Sequence, residues 1–307
     1  HNIKKYVLNN KMSKLKEIVA VGSIAFDSIE TPKGKREHML GGSATFFGVG
    51  ASIFSKVHLI GVVGNDFSDE EWNLFKKFNI NTSSIHVDNG ETFSWGGVYN
   101  KDFSSRKTKF TNLGVFENFK PNIKEQISNP ILYLGNIQPE LQFDVINKIK
   151  NPYLIAADSM NLWIDLFPKD VWKLITKVDI LMLNDEEALQ LTGEKNLENV
   201  MKQFLSLGPK IVIIKMGGEG CLVAYKNRIE HISIVPNTNV LDPTGAGDSF
   251  AGGVLGYIAL NGLSNPSQAA AHGSAVASYT VSGFGLESLV NITYKELQEK
   301  IKQITIS

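Results

Sequence analysis

Residues 242–253 combine the residue types that bind and transfer a phosphate group. They read Asp-Pro-Thr-Gly-Ala-Gly-Asp-Ser-Phe-Ala-Gly-Gly and run on into a helical apolar pattern. Pro243 fixes φ and lacks an N–H, so it ends any strand or helix that precedes it. Gly245 and Gly247 can adopt backbone conformations closed to other residues and leave the backbone open to a ligand. Because the free N–H groups and the dipole of a helix start favour an anion, this stretch predicts an anion-binding turn.

Asp248 is the unusual residue of this turn. A carboxylate at this place repels an anionic ligand unless it has a chemical task. A base that takes the proton from an attacking hydroxyl group has such a task. The alternative is a carboxylate that only caps the helix, which contributes about 1 kcal/mol to stability.

The composition is that of an ordinary soluble globular protein. The 307 residues are 43% hydrophobic and 20% charged, and 31 basic residues balance 31 acidic ones. A net charge of zero gives no electrostatic reason to expect nucleic acid or an anionic membrane as a partner. The single cysteine, Cys221, excludes an intramolecular disulfide and a cysteine-rich metal site, and it favours a reduced, cytoplasmic setting. No apolar run reaches the about 18–20 residues that span a bilayer.

Apolar runs and helical patterns alternate along the chain. This alternation predicts an α/β fold with a mostly parallel sheet and helices on both faces. Strands are predicted at 18–22, 57–63, 131–134, 154–157, 180–183 and 211–215, and a hairpin at 221–235. Helices are predicted at 142–150, 168–175, 185–191, 197–207, 265–281 and 294–304, besides the one that begins in the turn and one that starts with a Ser68–Glu71 capping box. Ligands of such folds bind at the carboxyl ends of the strands.

Two segments do not fit the alternation. Residues 92–111 alternate aromatic and polar side chains, which predicts antiparallel strands, and a hairpin near 27–40 could pair with them. We expect one domain over 15–307 with a small covering sheet, or lid, from about 28–40 and 92–113. The exposed edges of that sheet could pair in a homodimer. Residues 1–14 lack the apolar core of a secretory signal and are expected to be a native extension or a tag remnant.

The string from Asp242 to Phe250 resembles the carboxy-terminal signature of the ribokinase/PfkB family of carbohydrate and nucleoside kinases. It does not resemble a Walker A loop, because no Gly-Lys-Ser/Thr follows at the needed spacing. The resemblance covers nearly the whole chain from about Leu15. Its other parts are residues 21–27, the Gly-Gly-Ser at 41–43 with the glycine-rich 61–66, and the Asn-x-x-Glu motif at 184–187. It implies a three-layer α/β/α sandwich with a mostly parallel sheet and a small β-sheet lid.

The resemblance also implies a role for each site residue. Asp248 would be the catalytic base, and the turn N–H groups of Gly245, Ala246 and Gly247 would form an anion hole for the transferred phosphoryl group. The implied substrate-binding residues are Asp27, Gly41, Gly42, Ser43 and Asn136. The implied ATP-binding residues are Asn184, Lys215, Gly217, Gly220 and His272.

The implied cofactors are ATP and Mg²⁺, with K⁺ as a further candidate. Glu187 would organise the water shell of Mg²⁺, which usually keeps several waters and few protein ligands. Asp242 and Thr244 lie where relatives with a monovalent-cation site contribute oxygen atoms. Structural roles remain open for several of these residues, because Asn184 and Glu187 suit a helix start, Asp27 suits a turn and His272 suits helix packing.

The substrate is the open question at this stage. Phe46 stands where ribokinase-type sequences carry a sugar-binding asparagine, and Asn136 stands where they carry an acidic residue. Trp95, Asn161 and Trp163 add aromatic and amide groups near the expected edges of the cleft. The sequence predicts an ATP-dependent kinase acting on a hydroxymethyl group of a sugar or sugar-like small molecule. The alternatives are a nucleoside kinase of the adenosine type and, from another class, a non-catalytic ligand sensor.

Overall fold

The computed structural model describes residues 15–307, and the expected extension at 1–14 lies outside them. The described strands form a large and a small sheet. In chain order they are β1 Ile18–Val21, β2 Ala25–Thr31, β3 Gly34–Gly41, β4 Val57–Val63, β5 Asn81–Val87, β6 Ser94–Tyr99, β7 Arg106–Asn112, β8 Ile131–Leu134, β9 Leu154–Ala157, β10 Ile180–Asn184, β11 Ile211–Lys215, β12 Cys221–Tyr225 and β13 Arg228–Ile232.

The large sheet has the strand order β13-β12-β11-β10-β9-β8-β1-β4-β5. Its strands from β11 to β5 are parallel, whereas β12 and β13 are antiparallel at one edge. Every residue of β1, β4 and β8 is buried. Strands that are covered on both faces read as continuous apolar runs, which is why the sequence pattern located these three.

Helices cover both faces of the large sheet. Within residues 15–307 they are α1 Ser43–Ser52, α2 Asp69–Lys77, α3 Pro139–Lys148, α4 Asn161–Leu166, α5 Pro168–Ile175, α6 Asp185–Thr192, α7 Leu197–Leu207, α8 Ala246–Asn261, α9 Pro266–Thr280 and α10 Tyr294–Ile301. One apolar core joins the sheet to α1, α8 and α9, and a second joins it to α3, α5, α6 and α7. The predicted three-layer α/β/α sandwich is therefore confirmed. No helix of the described chain is long and apolar enough to cross a membrane.

Helices α1, α8 and α9 pack closely because glycines line their contacts. A Cβ on Gly252 would lie 2.5 Å from the carbonyl oxygen of Phe47, and one on Gly253 would lie 2.8 Å from that of His272. Backbones can approach this closely only where side chains are missing. The packing fixes the start of α8, and with it Asp248, relative to the sheet.

The small sheet has the strand order β3-β2-β6-β7. The hairpins β2–β3 and β6–β7 are antiparallel as predicted, but β2 and β6 join them as a parallel pair. Two hydrogen bonds fasten this sheet to the turn that precedes α8. Thr31 Oγ1 donates to the Leu241 carbonyl at 2.9 Å, and the hydroxyl groups of Tyr99 and Thr244 lie 3.1 Å apart. The small sheet therefore stands directly over the predicted anion-binding turn.

Candidate active site

The turn before α8 has the geometry of an anion site. Gly245 has φ of 75° and precedes the first helical residue, Ala246. A Cβ on Gly245 would lie within 3.0 Å of three ring atoms of Phe46, so the position requires glycine for two reasons. The N–H of Ala246 donates to the Pro243 carbonyl at 3.2 Å, whereas those of Gly245 and Gly247 have no hydrogen-bond acceptor among residues 15–307. These two N–H groups are free to bind an anion.

Phe46 is a packing residue in this structure. Its side chain is only 1% exposed and lies against the backbone of Gly245. The position that carries a sugar-binding asparagine in ribokinase-type sequences therefore supports the turn here and offers no surface to a ligand.

Asp248 lies in the first turn of α8. Burial and the charge of Asp158 raise the pKa of its carboxyl, the cations Lys215 and Arg106 lower it, and the net pKa is about 7. A carboxyl that ionises near neutral pH can accept a proton and release it again. The chemistry expected of Asp248 thus agrees with its surroundings.

Lys215 places a largely buried ammonium group against the turn. Its Nζ lies 2.6 Å from Asp158 Oδ2 and would be 3.2 Å from a Cβ on Gly247. Burial lowers the pKa of Lys215, but the charges of Asp158, Glu187 and Asp248 outweigh it, and the net pKa is raised. Lys215 is therefore a fixed cation beside the anion-binding N–H groups.

Asp158 is a site residue that the sequence reasoning missed. It follows β9 directly, its side chain is 4% exposed, and its Oδ1 accepts the N–H of Ser159 at 2.9 Å. An acidic residue at the carboxyl end of a buried parallel strand was the available signal, because ligands of open α/β sheets bind there.

Asn184 and Glu187 join the same group. Their side chains form a capping box on α6, in which Glu187 Oε2 accepts the Asn184 N–H at 2.9 Å and Asn184 Oδ1 accepts the Glu187 N–H at 2.7 Å. Asn184 also pairs with Lys215 across β10 and β11. Burial and the charge of Asp158 raise the pKa of Glu187 to about 7. The helix-capping role considered for Asn184 and Glu187 is therefore present. The Glu187 carboxylate also belongs to the group of acidic side chains around Lys215.

Asp27 is a further buried carboxylate on which the charge of Asp248 acts. Its side chain is 7% exposed, and a Cβ on Gly41 would lie within 3.0 Å of its carboxylate. Burial and the charges of Asp242 and Asp248 raise the pKa of Asp27, the N–H of Gly42 lowers it, and the net pKa is about 7. The structure thus brings the predicted substrate-binding carboxylate together with the predicted base and with the Gly41–Gly42 pair.

The turn after β11 provides open space next to Lys215. A Cβ on Gly217 or Gly218 would meet no atom within 4 Å, and Gly217 has φ of 54°. Gly220 differs, because a Cβ there would overlap the Ile232 carbonyl. The backbone at 217–218 is therefore open to approach by a ligand, whereas Gly220 is required by the following hairpin.

Three predicted site residues make contacts that stabilise the fold. Ser43 Oγ accepts the Ser23 N–H at 3.0 Å, and Asn136 Oδ1 accepts Trp163 Nε1–H at 3.0 Å. The His272 ring lies 2.8 Å from the Gln268 carbonyl and packs against Tyr257, and burial lowers its pKa. None of these contacts involves Asp248 or Lys215.

Asp242 and Thr244 hold the turn to its neighbours. Asp242 is 1% exposed and accepts the N–H of Thr244 at 2.9 Å and that of Gly285 at 3.2 Å. Burial raises its pKa. Among residues 15–307 no three His, Cys, Asp or Glu side chains converge as a ready-made metal cluster. A divalent cation would have to rely on water and phosphate oxygens, with Glu187 and Asp158 as the neighbouring carboxylates.

Comparison with known proteins identifies the family. The profile described as pfkB family carbohydrate kinase matches residues 15–292. The cytidine kinase of Thermococcus kodakarensis is 27% identical over 250 residues, which are 78% of this chain and 88% of that protein. The structure of a nucleoside kinase from Burkholderia thailandensis in complex with ADP-inosine has a TM-score of 0.79 at 16% identity, covering 93% of this chain and 95% of that one. Ribokinase from Thermotoga maritima has a TM-score of 0.72 at 22% identity, covering 94% and 99%.

The fold and the family match together identify a phosphotransferase with an alcohol group as acceptor. The chain belongs to the pfkB family of carbohydrate kinases, within which it is a carbohydrate or nucleoside kinase. The two structural likenesses, both under 25% identical, support the ribokinase-like fold itself.

Proposed function

We propose that the protein transfers the γ-phosphate of ATP to a hydroxymethyl group of a sugar, with Asp248 as the general base. The observation that carries this proposal is the position of Asp248. It lies at the start of α8, where its charge acts on both the buried acid Asp27 and the cation Lys215, and its pKa is raised to about 7. One side of this arrangement suits hydroxyl groups, and the other suits phosphate.

The proposed reaction moves one proton to Asp248 and one phosphoryl group to the acceptor. The acceptor hydroxyl gives its proton to the Asp248 carboxylate, and its oxygen forms a bond to the γ-phosphorus. The bond between that phosphorus and the β–γ bridging oxygen breaks, and ADP leaves with the electron pair. The N–H groups of Gly245 and Gly247 and the ammonium of Lys215 stabilise the negative charge on the phosphoryl group during transfer. Glu187 and Asp158 are the residues that would hold the water shell of Mg²⁺, which when bound would neutralise phosphate charge.

The small sheet is proposed to act as the lid of this site. It stands over the turn through the Tyr99–Thr244 and Thr31–Leu241 hydrogen bonds. Closure over both substrates would exclude water, which competes with the acceptor for the phosphoryl group. Its outer strands β3 and β7 are largely exposed and are proposed edges for a homodimer. Sedimentation analysis tests this dimer, and a single monomeric species would contradict it.

A nucleoside is the second candidate acceptor. The similarity to the cytidine kinase of Thermococcus kodakarensis over 78% of this chain favours it. A nucleoside presents the same kind of hydroxymethyl group on its ribose, so the Asp27 and Asp248 chemistry would be shared. The two candidates differ only in what lies beyond the sugar ring.

A panel of sugars and nucleosides tests the proposal and separates the candidates. ADP release and the phosphorylated product are measured for each acceptor with Mg²⁺ and with K⁺ or Na⁺, the last comparison testing a cation role for Asp242 and Thr244. We expect turnover with one class, and turnover restricted to nucleosides would replace the sugar proposal.

Asp248→Asn tests the base. We expect turnover to fall about 10²–10⁴-fold because the proton acceptor is lost. Nucleotide affinity, measured by calorimetry, should persist, since the N–H groups and Lys215 are unchanged. Asp102→Asn, in the exposed turn between β6 and β7, is the matched control for a changed carboxylate and should leave turnover unchanged. An Asp248→Asn variant with near wild-type turnover would refute the assignment.

A further inference from the structure

Negative charge is in excess at the proposed site. Its carboxylates are those of Asp27, Asp158, Glu187, Asp242 and Asp248, and the large sheet sets the largely buried cation Lys215 among them. Phosphoryl transfer adds the charge of the nucleotide. Since such transfer depends mainly on electrostatic stabilisation, a second cation on the opposite side of the phosphoryl group would lower the barrier.

Arg106 is placed to be that cation. It begins β7 and pairs with Tyr99 of β6 in the antiparallel register, so both side chains lie on the same face of the small sheet. Tyr99 identifies that face as the one toward the turn, because its hydroxyl group meets Thr244. Arg106 therefore projects from the face that covers Asp248.

Trp95 gives Arg106 a platform. The guanidinium carbon lies 5.3 Å from the centre of the Trp95 ring, a cation–π arrangement. Trp95 pairs with Asp27 across β6 and β2, and its ring covers the backbone of Gly97, where a Cβ would overlap it. The platform is thus fixed next to the acceptor-side carboxylate.

The charge of Arg106 acts on both sides of the site. It lowers the pKa of Asp27 on the acceptor side and of Asp248 and Glu187 on the phosphate side. Because β7 is exposed along its whole length, the guanidinium can move toward a phosphate without leaving a buried partner. A planar guanidinium also matches the oxygens of a phosphate group better than an ammonium does.

We propose that Arg106 is a catalytic residue that brings a second positive charge from the small sheet to the phosphoryl group in transit, facing Lys215. Trp95 is its positioning residue. This inference rests on the proposed phosphoryl transfer at Asp248. It couples closure of the small sheet to catalysis, since the cation reaches the site only with the sheet in place.

Arg106→Gln is the main test, with Arg106→Lys as the conservative variant. We expect kcat to fall about 10²–10³-fold in Arg106→Gln, as when one charge-stabilising donor is lost, and to recover in part in Arg106→Lys. The KM for the acceptor should change far less. Lys107→Gln is the matched control, because Lys107 is also exposed but pairs with Val98 and points to the other face. It should leave kcat unchanged.

The pH profile gives a readout that a merely structural role would not move. Arg106 lowers the pKa of Asp248, so its removal raises that pKa. Asp248 acts as base only when ionised, and the acid limb of kcat should therefore shift to higher pH in Arg106→Gln. Trp95→Leu should lower kcat about 2- to 5-fold through loss of the cation–π contact, and Trp95→Phe should restore part of it.

Affinity for ADP with aluminium fluoride, a mimic of the phosphoryl group in transit, tests the inference without any acceptor. Calorimetry should show weaker binding to Arg106→Gln than to wild type, with unchanged affinity for ADP alone. Equal affinity for the mimic would overturn the inference, and so would an unchanged kcat or a defect confined to the KM of the acceptor. A wild-type protein that turns over no acceptor would instead contradict the proposed function, which keeps the two failures apart.

Discussion

Gly245→Ala is the sharpest test of how the turn is built. The left-handed φ of 75° costs an L-residue about 1–2 kcal/mol. The added Cβ would also lie within 3.0 Å of three ring atoms of Phe46. Because Phe46 is 1% exposed, its ring has no free space into which it could move. The overpacking therefore adds about 1–3 kcal/mol to the cost of the substitution. We expect the free energy of unfolding to fall by about 2–5 kcal/mol.

Chemical denaturation and thermal melts measure this loss, which corresponds to a decrease of about 4–15 °C in Tm. The double variant Gly245→Ala with Phe46→Ala separates the two causes. Removing the ring relieves the clash but not the backbone strain, so the two substitutions should couple favourably by about 1–3 kcal/mol. Gly218→Ala is the matched control, since a Cβ at Gly218 meets no atom within 4 Å. A Gly245→Ala variant within about 0.5 kcal/mol of wild type would refute the reasoning, because surface substitutions cause changes of that size.

Two further predictions concern the charged groups. Folding raises the pKa of Asp27 from 3.8 to about 7, so its contribution to stability is full below pH 3.8 and is lost as the pH rises through 7. Asp27→Asn should therefore raise Tm at pH 8, while the KM for the acceptor rises. Lys215→Met leaves Asp158 buried without its partner and should cost about 3–5 kcal/mol in the free energy of unfolding. Adding Asp158→Asn should restore most of this stability but not the turnover.

Measurements of stability can contradict both the Asp27 and the Lys215 prediction. For Asp27, melts at pH 5 and pH 8 must show a gain from the asparagine that grows with pH, and a gain equal at both would contradict the pKa argument. For Lys215, the free energies of unfolding of Lys215→Met and of Lys215→Met with Asp158→Asn are compared. Equal values would show that the ion pair does not offset the burial of the Asp158 carboxylate.

The elements that the sequence predicted best are those whose burial imposes a simple pattern. The bounds predicted for Val57–Val63, Ile131–Leu134 and Pro168–Ile175 are those observed. The capping box at Ser68 is present, with Glu71 accepting the Ser68 N–H at 2.8 Å. In each case local chemistry and the burial of the element agree.

The elements that were missed carry weak local signals. Strand β5 begins with the polar residues of 81–84 and lies at the sheet edge, so its apolar pattern is short. Helix α4 has six residues and no side-chain cap. The parallel pairing of β2 with β6 joins segments about 70 residues apart, and no local pattern specifies such a register.

The candidate site shows the same division. Asp248 and Glu187 belong to contiguous strings whose spacing reveals them. Asp158 and Arg106 stand outside any string, at the end of one strand and the start of another, and they join the site only because distant elements meet. Ser43 lies within a string, yet its hydroxyl group is taken up by Ser23. A motif indicates where a site lies. Whether each side chain in it has a hydrogen-bonding group free for a ligand depends on its tertiary contacts.

The hydrogen bond between Tyr99 and Thr244 has a thermodynamic consequence. It connects the sheet that would sense the acceptor to the turn that would sense the nucleotide. If either ligand shifts this contact, the factor by which the acceptor changes nucleotide affinity must equal the factor by which the nucleotide changes acceptor affinity. Specificity for the acceptor therefore cannot be redesigned in the small sheet in isolation. Under the same condition, a substitution that removes the Tyr99 hydroxyl group changes the affinity for the nucleotide as well as the affinity for the acceptor.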